Sequence, residues 1–100
     1  MSATRIIKKY PNRRLYDTGR SSYITLRDVQ QLINARVPIE VREQRTGADL
    51  THDVLLQVIS ALDAREPHLL SREFLMALVR AYGSDRRDEL AAALNGALSG

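Results

Sequence analysis

The stretch RIIKKYPNRRLYDTGR, residues 5–20, is too charged for a core and too apolar for a merely solvated surface. Arg5, Lys8, Lys9, Arg13, Arg14 and Arg20 face a single carboxylate, Asp17, and Ile6, Ile7, Tyr10, Leu15 and Tyr16 are threaded between them. Such a mixture asks for a two-sided element, one face packed on protein and the other aimed at something negative. Alternation over Arg5 to Tyr10 puts Ile6, Lys8 and Tyr10 on one side of a strand and Arg5, Ile7 and Lys9 on the other. Pro11-Asn12 is a turn signal, because proline presets φ and asparagine tolerates unusual backbone angles. Arg13 to Thr18 reads as a second strand and residues 17–22 as the next polar loop. The whole is a basic hairpin.

Working outward, Tyr23-Ile24 is a brief apolar extension into a helix start. Thr25 followed three residues later by Asp28 is a capping-box-like pair, and Leu26, Val29, Leu32 and Ile33 fall on one helical face. Pro38 stops that helix from running on. Ile39 and Val41 alternate with Glu40 and Arg42 as a further short strand, closed by Thr46-Gly47. Asp49 or Thr51 can cap a second helix, with Val54, Leu55, Val58, Ile59 and Leu62 as its apolar stripe, ending at or before Glu66. The pattern to this point is β-β-α-β-α, an α+β unit. From Pro67 only helices follow. Ser71 caps one with Phe74, Leu75, Leu78, Val79 and Tyr82 on its apolar face and Gly83 at its end; Ser84 or Asp85 starts another with Leu90, Leu94 and Leu98. This antiparallel helix pair is too short for a core of its own. The expected division is an α+β domain over 1–65 and a helical hairpin for packing and oligomerisation over 66–100.

The charge follows the same division. The chain carries +3 over its 100 residues, but residues 1–20 hold net +5 and residues 46–100 net −3. That asymmetry is the footprint of a phosphate-binding surface beside a neutral or acidic scaffold. Catalytic chemistry is poorly supplied. There is no cysteine, and the two histidines, His52 and His68, stand far apart as ordinary surface residues. No metalloprotease helix, phosphate-cradling glycine loop, serine-nucleophile elbow or calcium loop is present, so no enzyme, metal or cofactor is expected. No apolar run approaches the roughly 18 residues needed to cross a bilayer. The N-terminus lacks a signal-peptide core, and the expected address is the cytoplasm.

Residue chemistry alone leaves two readings of the basic hairpin open. Its cations can serve phosphate oxygens while a tip arginine binds guanine, since a two-stranded ribbon fits the major groove of B-DNA. Alternatively, the apolar residues are ordinary core and the cations a solvated face. An acidic protein or anionic lipid is a lesser option for the partner.

The run RIIKKYPNRRLYDTGRSSYITLRDVQQLI, followed by TGADLT and LLQVI, closely resembles the polyhydroxyalkanoate synthesis repressor family. The resemblance covers about residues 4 to 62, and Leu78 to Gly83, Leu-x-x-x-Tyr-Gly, is similar to the family's next helical segment. It implies a transcriptional repressor of bacterial carbon-storage genes that binds promoter DNA and leaves it when polyester or its oligomers bind. Carried onto this chain, the DNA contacts would be Lys8, Lys9, Asn12, Arg13 and Arg14, with Tyr10 and Tyr16 beside them. Arg5 and Arg20 join that set on electrostatic grounds. No residue is assigned to the polymer. Arg36 stands where the family usually has glycine, which questions the helix-to-strand turn, and Ala48 replaces a usual acid. Many members continue past the last helix; an effector site there would leave this chain binding DNA without sensing polymer. The expected assembly is a homodimer or homotetramer, two hairpins reading two half-sites. The competing expectation is a granule-surface adaptor that coats polymer through amphipathic helices.

Overall fold

The computed structural model describes residues 3–99. The chain divides into two compact units, Met1–Arg65 and Glu66–Gly100. In the first unit, β1 (Arg5–Lys9), β2 (Leu15–Asp17) and β3 (Ser22–Ile24) are followed by α1 (Leu26–Asn34), β4 (Ile39–Glu43) and α2 (Thr51–Asp63). The strands form one sheet in the order β3-β2-β1-β4, antiparallel except for the parallel β1–β4 pair. The architecture is α+β, with one strand more than the sequence pattern suggests. Ser22-Tyr23-Ile24 is too short to display alternation, yet it pairs residue for residue with Leu15-Tyr16-Asp17. The basic hairpin is therefore no free ribbon. Its two strands are the centre of the sheet, because β4 occupies the other side of β1.

Register places Ile7 beside both Asp17 and Val41, and Leu15 beside Ile24. These side chains share one face, where they are buried with Val29 and Leu32 of α1 and Val54 and Val58 of α2. Both helices thus cover the same side of the sheet. The apolar stripes are narrower than expected: Ile33, Ile59 and Leu62 remain exposed. The outer edge of β4 is covered by the chain that leads into α2. Glu43 N donates to Ala48 O at 2.8 Å, Leu50 N to Val41 O at 2.7 Å, and Val41 N to Thr51 Oγ1 at 2.9 Å. Covering an edge in this way removes a template for adventitious strand pairing.

The local signals explain the element ends. Thr25 Oγ1 accepts from Asp28 N, and Asp28 Oδ2 accepts from Thr25 N at 2.8 Å, the reciprocal capping box. At the other end of α1, Arg36 N donates to Ile33 O and Val37 N to Leu32 O, with Arg36 at φ 62°. This is a Schellman closure, whose left-handed position normally takes glycine. The turn is made with arginine at a cost of about 1 kcal/mol. α2 is capped differently from expectation. Leu50 is its N-cap, while Asp49 accepts from Thr51 N and Thr51 Oγ1 and so ties down the strand-to-helix corner. The turn before it uses Gly47 at φ 75°.

In the second unit, α3 (Arg72–Ala81) and α4 (Arg87–Leu98) are joined by a short connection. Ser71 Oγ accepts from Phe74 N, as its cap position requires. Gly83 follows the helix without adopting a left-handed backbone, and α4 begins two residues later than the Ser84–Asp85 signal suggests, after Ser84 Oγ has accepted from Arg86 N. No residue of either helix is buried. Leu78, Leu90 and Leu94 line a cleft of about 230 Å³ between them.

Candidate nucleic-acid interface

The sheet face opposite the first unit's helices carries Ile6 and Lys8 from β1, Tyr16 from β2, Tyr23 from β3, and Glu40 and Arg42 from β4. Lys8 stands in register between Tyr16 and Arg42. Tyr10 joins this face just past the end of β1. Its ring lies 6.0 Å from that of Tyr23, which in turn meets Tyr16 edge-on at 5.3 Å. Arg14 lays its guanidinium over Tyr23, 3.9 Å from the ring centroid. Stacking of this kind is worth about 0.5–1 kcal/mol at an exposed site and fixes the plane of the guanidinium. Its N–H edges stay available to an anion.

The hairpin tip is built by its own sequence. Arg13 N donates to Tyr10 O at 2.9 Å and Tyr10 N to Arg14 O at 3.0 Å, enclosing Pro11-Asn12-Arg13. Pro11 takes the second position of the turn, where its fixed φ fits. Asn12 Oδ1 accepts from Arg14 N, and Arg13 closes the loop at φ 69°. This is the three-residue hairpin loop in which a turn is followed by one left-handed residue. Arg13 and Arg14 form one wall of an open groove of about 660 Å³, with Gln57, Ser60 and Ala61 of α2 on the other.

The nine candidate contacts separate into four environments. Lys8, Tyr10, Arg14 and Tyr16 share the open face; Asn12 and Arg13 form the tip. Lys9 is turned to the helix side, its Nζ 3.4 Å from Gln57 Oε1. Arg5 and Arg20 are engaged with Asp17, which is fully buried. Arg5 Nη1 reaches Asp17 Oδ2 at 3.0 Å and Arg20 Nε approaches it at 3.7 Å, while Asp17 Oδ1 accepts from Gly19 N and Arg20 N. Gly19 is needed for this arrangement, since a Cβ there would sit 2.7 Å from the Arg5 guanidinium carbon. Asp17 is more than a turn former: it is the buried anchor of two arginines and the β2–β3 turn.

Sequence reasoning missed Tyr23 and Arg42. Tyr23 centres the ring cluster, and its signal was the pairing potential of Ser22-Tyr23-Ile24 with the strand before it. Arg42 bonds Glu40 at 2.7 Å and Gly47 O at 2.8 Å. The Glu40 carboxylate, as its hydrogen-bond partner, holds the Arg42 guanidinium above its usual range. Among the described residues no group of His, Asp and Glu could hold a metal ion. No helix among them is long and apolar enough to cross a membrane.

The chain is 40% identical over 98 residues to an uncharacterized protein of Allochromatium vinosum, a match over 98% of this chain and 64% of that protein. It is 42% identical over 83 residues to an uncharacterized protein in the phbA 5′ region of Thiocystis violacea, a match over 83% of this chain and 60% of that protein. The chain thus spans less than two thirds of the length of either relative. No solved structure matches it. The family model for the PHB/PHA accumulation regulator DNA-binding domain matches residues 6–66, the four strands and first two helices, and the chain belongs to that family.

Proposed function

We propose that this chain is a DNA-binding repressor of polyhydroxyalkanoate storage genes that acts through the open sheet face and hairpin tip of residues 1–65. The observation that carries this reading is Lys8 and Arg14 beside three tyrosines on a surface the first unit's own helices leave open, with Arg13 at the adjoining hairpin tip. Cations so placed reach phosphate oxygens, and tyrosine hydroxyls can donate to the same backbone. The family supports a regulatory rather than an enzymatic role. The Thiocystis relative, described by its place in the phbA 5′ region, supports a connection with polymer genes.

Residues 66–100 serve oligomerisation in this reading, as a homodimer or homotetramer, and release from DNA follows binding of polyester or its oligomers. The test is protection mapping of DNA upstream of storage genes, with and without hydroxyalkanoate oligomers. Protection that disappears in Arg13→Ala with Arg14→Ala, and is lifted by oligomers, is the expected result. Protection unchanged in the double variant would overturn the proposed surface, and protection indifferent to oligomers would remove the effector.

A granule-coating role is favoured by one observation: Val79 and Tyr82 are 72% and 67% exposed beside Phe74, Leu75 and Met76 on α3. Enrichment of the purified protein on polymer particles over buffer is expected on that reading; equal partition would dismiss it.

A further inference from the structure

Residues 5–20 supply six cations, but the fold leaves them unequally free. Arg5 and Arg20 hold Asp17, Lys9 lies against Gln57, and Arg14 is stacked on Tyr23. Lys8 and Arg13 remain. Neither side chain has a hydrogen bond, ion pair or ring contact among the described residues. They differ in what they can reach. Lys8 stands in the middle of a four-stranded sheet, whose backbones at about 4.8 Å spacing span about 14 Å before side chains are added. The major groove of B-DNA is about 12 Å wide and admits a two-stranded ribbon. A sheet of this width lies across the groove and meets the phosphates on its edges.

Only the tip is narrow enough to enter. Pairing with β4 ends at Lys9–Glu43, extended by Gln44 N donating to Lys9 O, and pairing with β3 ends at Leu15–Ile24. Over residues 10–14 the sheet therefore continues as two strands alone, with Arg13 at the closing position of the loop and α2 across the groove from it. Asn12, the other polar tip residue, has its carbonyl oxygen committed to Arg14 N. A free guanidinium on a two-stranded tip has the planar fork that matches guanine O6 and N7 together.

On the DNA-binding reading above, we propose that Arg13 reads a guanine in the major groove, while Lys8 and Arg14 bind the phosphates on either side. Arg13 is then a specificity residue and its neighbours are affinity residues. The left-handed backbone at Arg13 supplies a clean control, because glycine occupies φ 69° at least as comfortably as arginine. Arg13→Gly removes the side chain without straining the turn.

The experiment is selection of binding sites by the full chain from a library of randomised DNA duplexes. The wild type is expected to enrich a motif with a G·C pair that Arg13→Gly and Arg13→Lys both cease to prefer, by about tenfold or more at that pair. Lysine keeps the charge but lacks the fork, so its loss of preference separates base reading from phosphate binding. Arg14→Lys is expected to enrich the wild-type motif. If both Arg13 variants keep the wild-type preference at every position, or if the wild type binds duplexes without enriching any motif, Arg13 is not the reader. Failure of the wild type to bind any duplex would instead remove the DNA-binding reading itself, and this assignment with it.

Discussion

The two units differ in where their apolar side chains go. The first buries Ile7, Leu15, Ile24, Val29, Leu32, Val41, Val54 and Val58 between one sheet and two helices. The second buries no residue of α3 or α4, and Phe74, Leu75, Met76, Val79 and Tyr82 stay exposed. A unit with its own core holds side chains at fixed positions, which is what a surface of spaced cations requires. A helix pair with its apolar side chains uncovered suits association, the role proposed for it. The charge follows the same contrast: the cations of residues 5–20 stand on the unit that has the buried core.

The sharpest way to break that contrast is to cut into both units equally. Ile7→Ala removes a fully buried side chain from the sheet's centre, and chemical denaturation should show a loss of about 3–4 kcal/mol. Val79→Ala, at a position 72% exposed, should cost less than about 0.5 kcal/mol under conditions that keep the chain dilute. Comparable losses at the two sites would show that the second unit carries a core after all. Next in size is Asp17→Ala, which leaves Arg5 without its partner and the Gly19 and Arg20 amides without their acceptor. We expect a loss of about 2–3 kcal/mol by the same measurement.

Arg36→Gly acts in the opposite direction. The left-handed Schellman position favours glycine, so the variant should gain about 1 kcal/mol without altering the fold. A loss would mean that the Arg36 side chain makes a contribution beyond closing the helix. The smallest effect is that of acid. Hydrogen bonds from Thr25, its backbone N–H foremost, hold Asp28 below its ordinary range, and the Thr51 hydroxyl and N–H do the same for Asp49. Both carboxyls are depressed in the folded state, so their contribution is present above the ordinary value of about 4 and lost as pH falls through their lower folded values. A thermal melting series should therefore be flat with respect to these groups above about pH 5, and Asp28→Asn should flatten part of the fall below about pH 4.

Much of the first unit was legible because its signals are local. The Thr25–Asp28 box, Pro11-Asn12 and the Ile39–Val41 alternation each act within a few residues. What escaped depends on partners outside the segment itself. A three-residue strand, Ser22–Ile24, gains its identity only from Leu15–Asp17, and with it goes the position of Tyr23. The cations of residues 5–20 are identical in a sequence pattern, but Asp17 claims two of them, Gln57 a third and Tyr23 a fourth. Which remain free is settled by tertiary register. Alternation did separate Lys8 from Lys9, and the sheet shows why the separation matters: one stands on the open face and the other against α2.

That adjacent pair offers the most direct test of the open face as a phosphate-binding surface. The measurement is the salt dependence of affinity for a mixed-sequence DNA duplex, for the wild type, Lys8→Ala and Lys9→Ala. A steep wild-type dependence is expected, with the slope of log K against log salt reduced by about 0.9 in Lys8→Ala, one phosphate contact, and unchanged in Lys9→Ala. Equal slopes in all three proteins, or a loss confined to Lys9→Ala, would contradict the assignment of the open face.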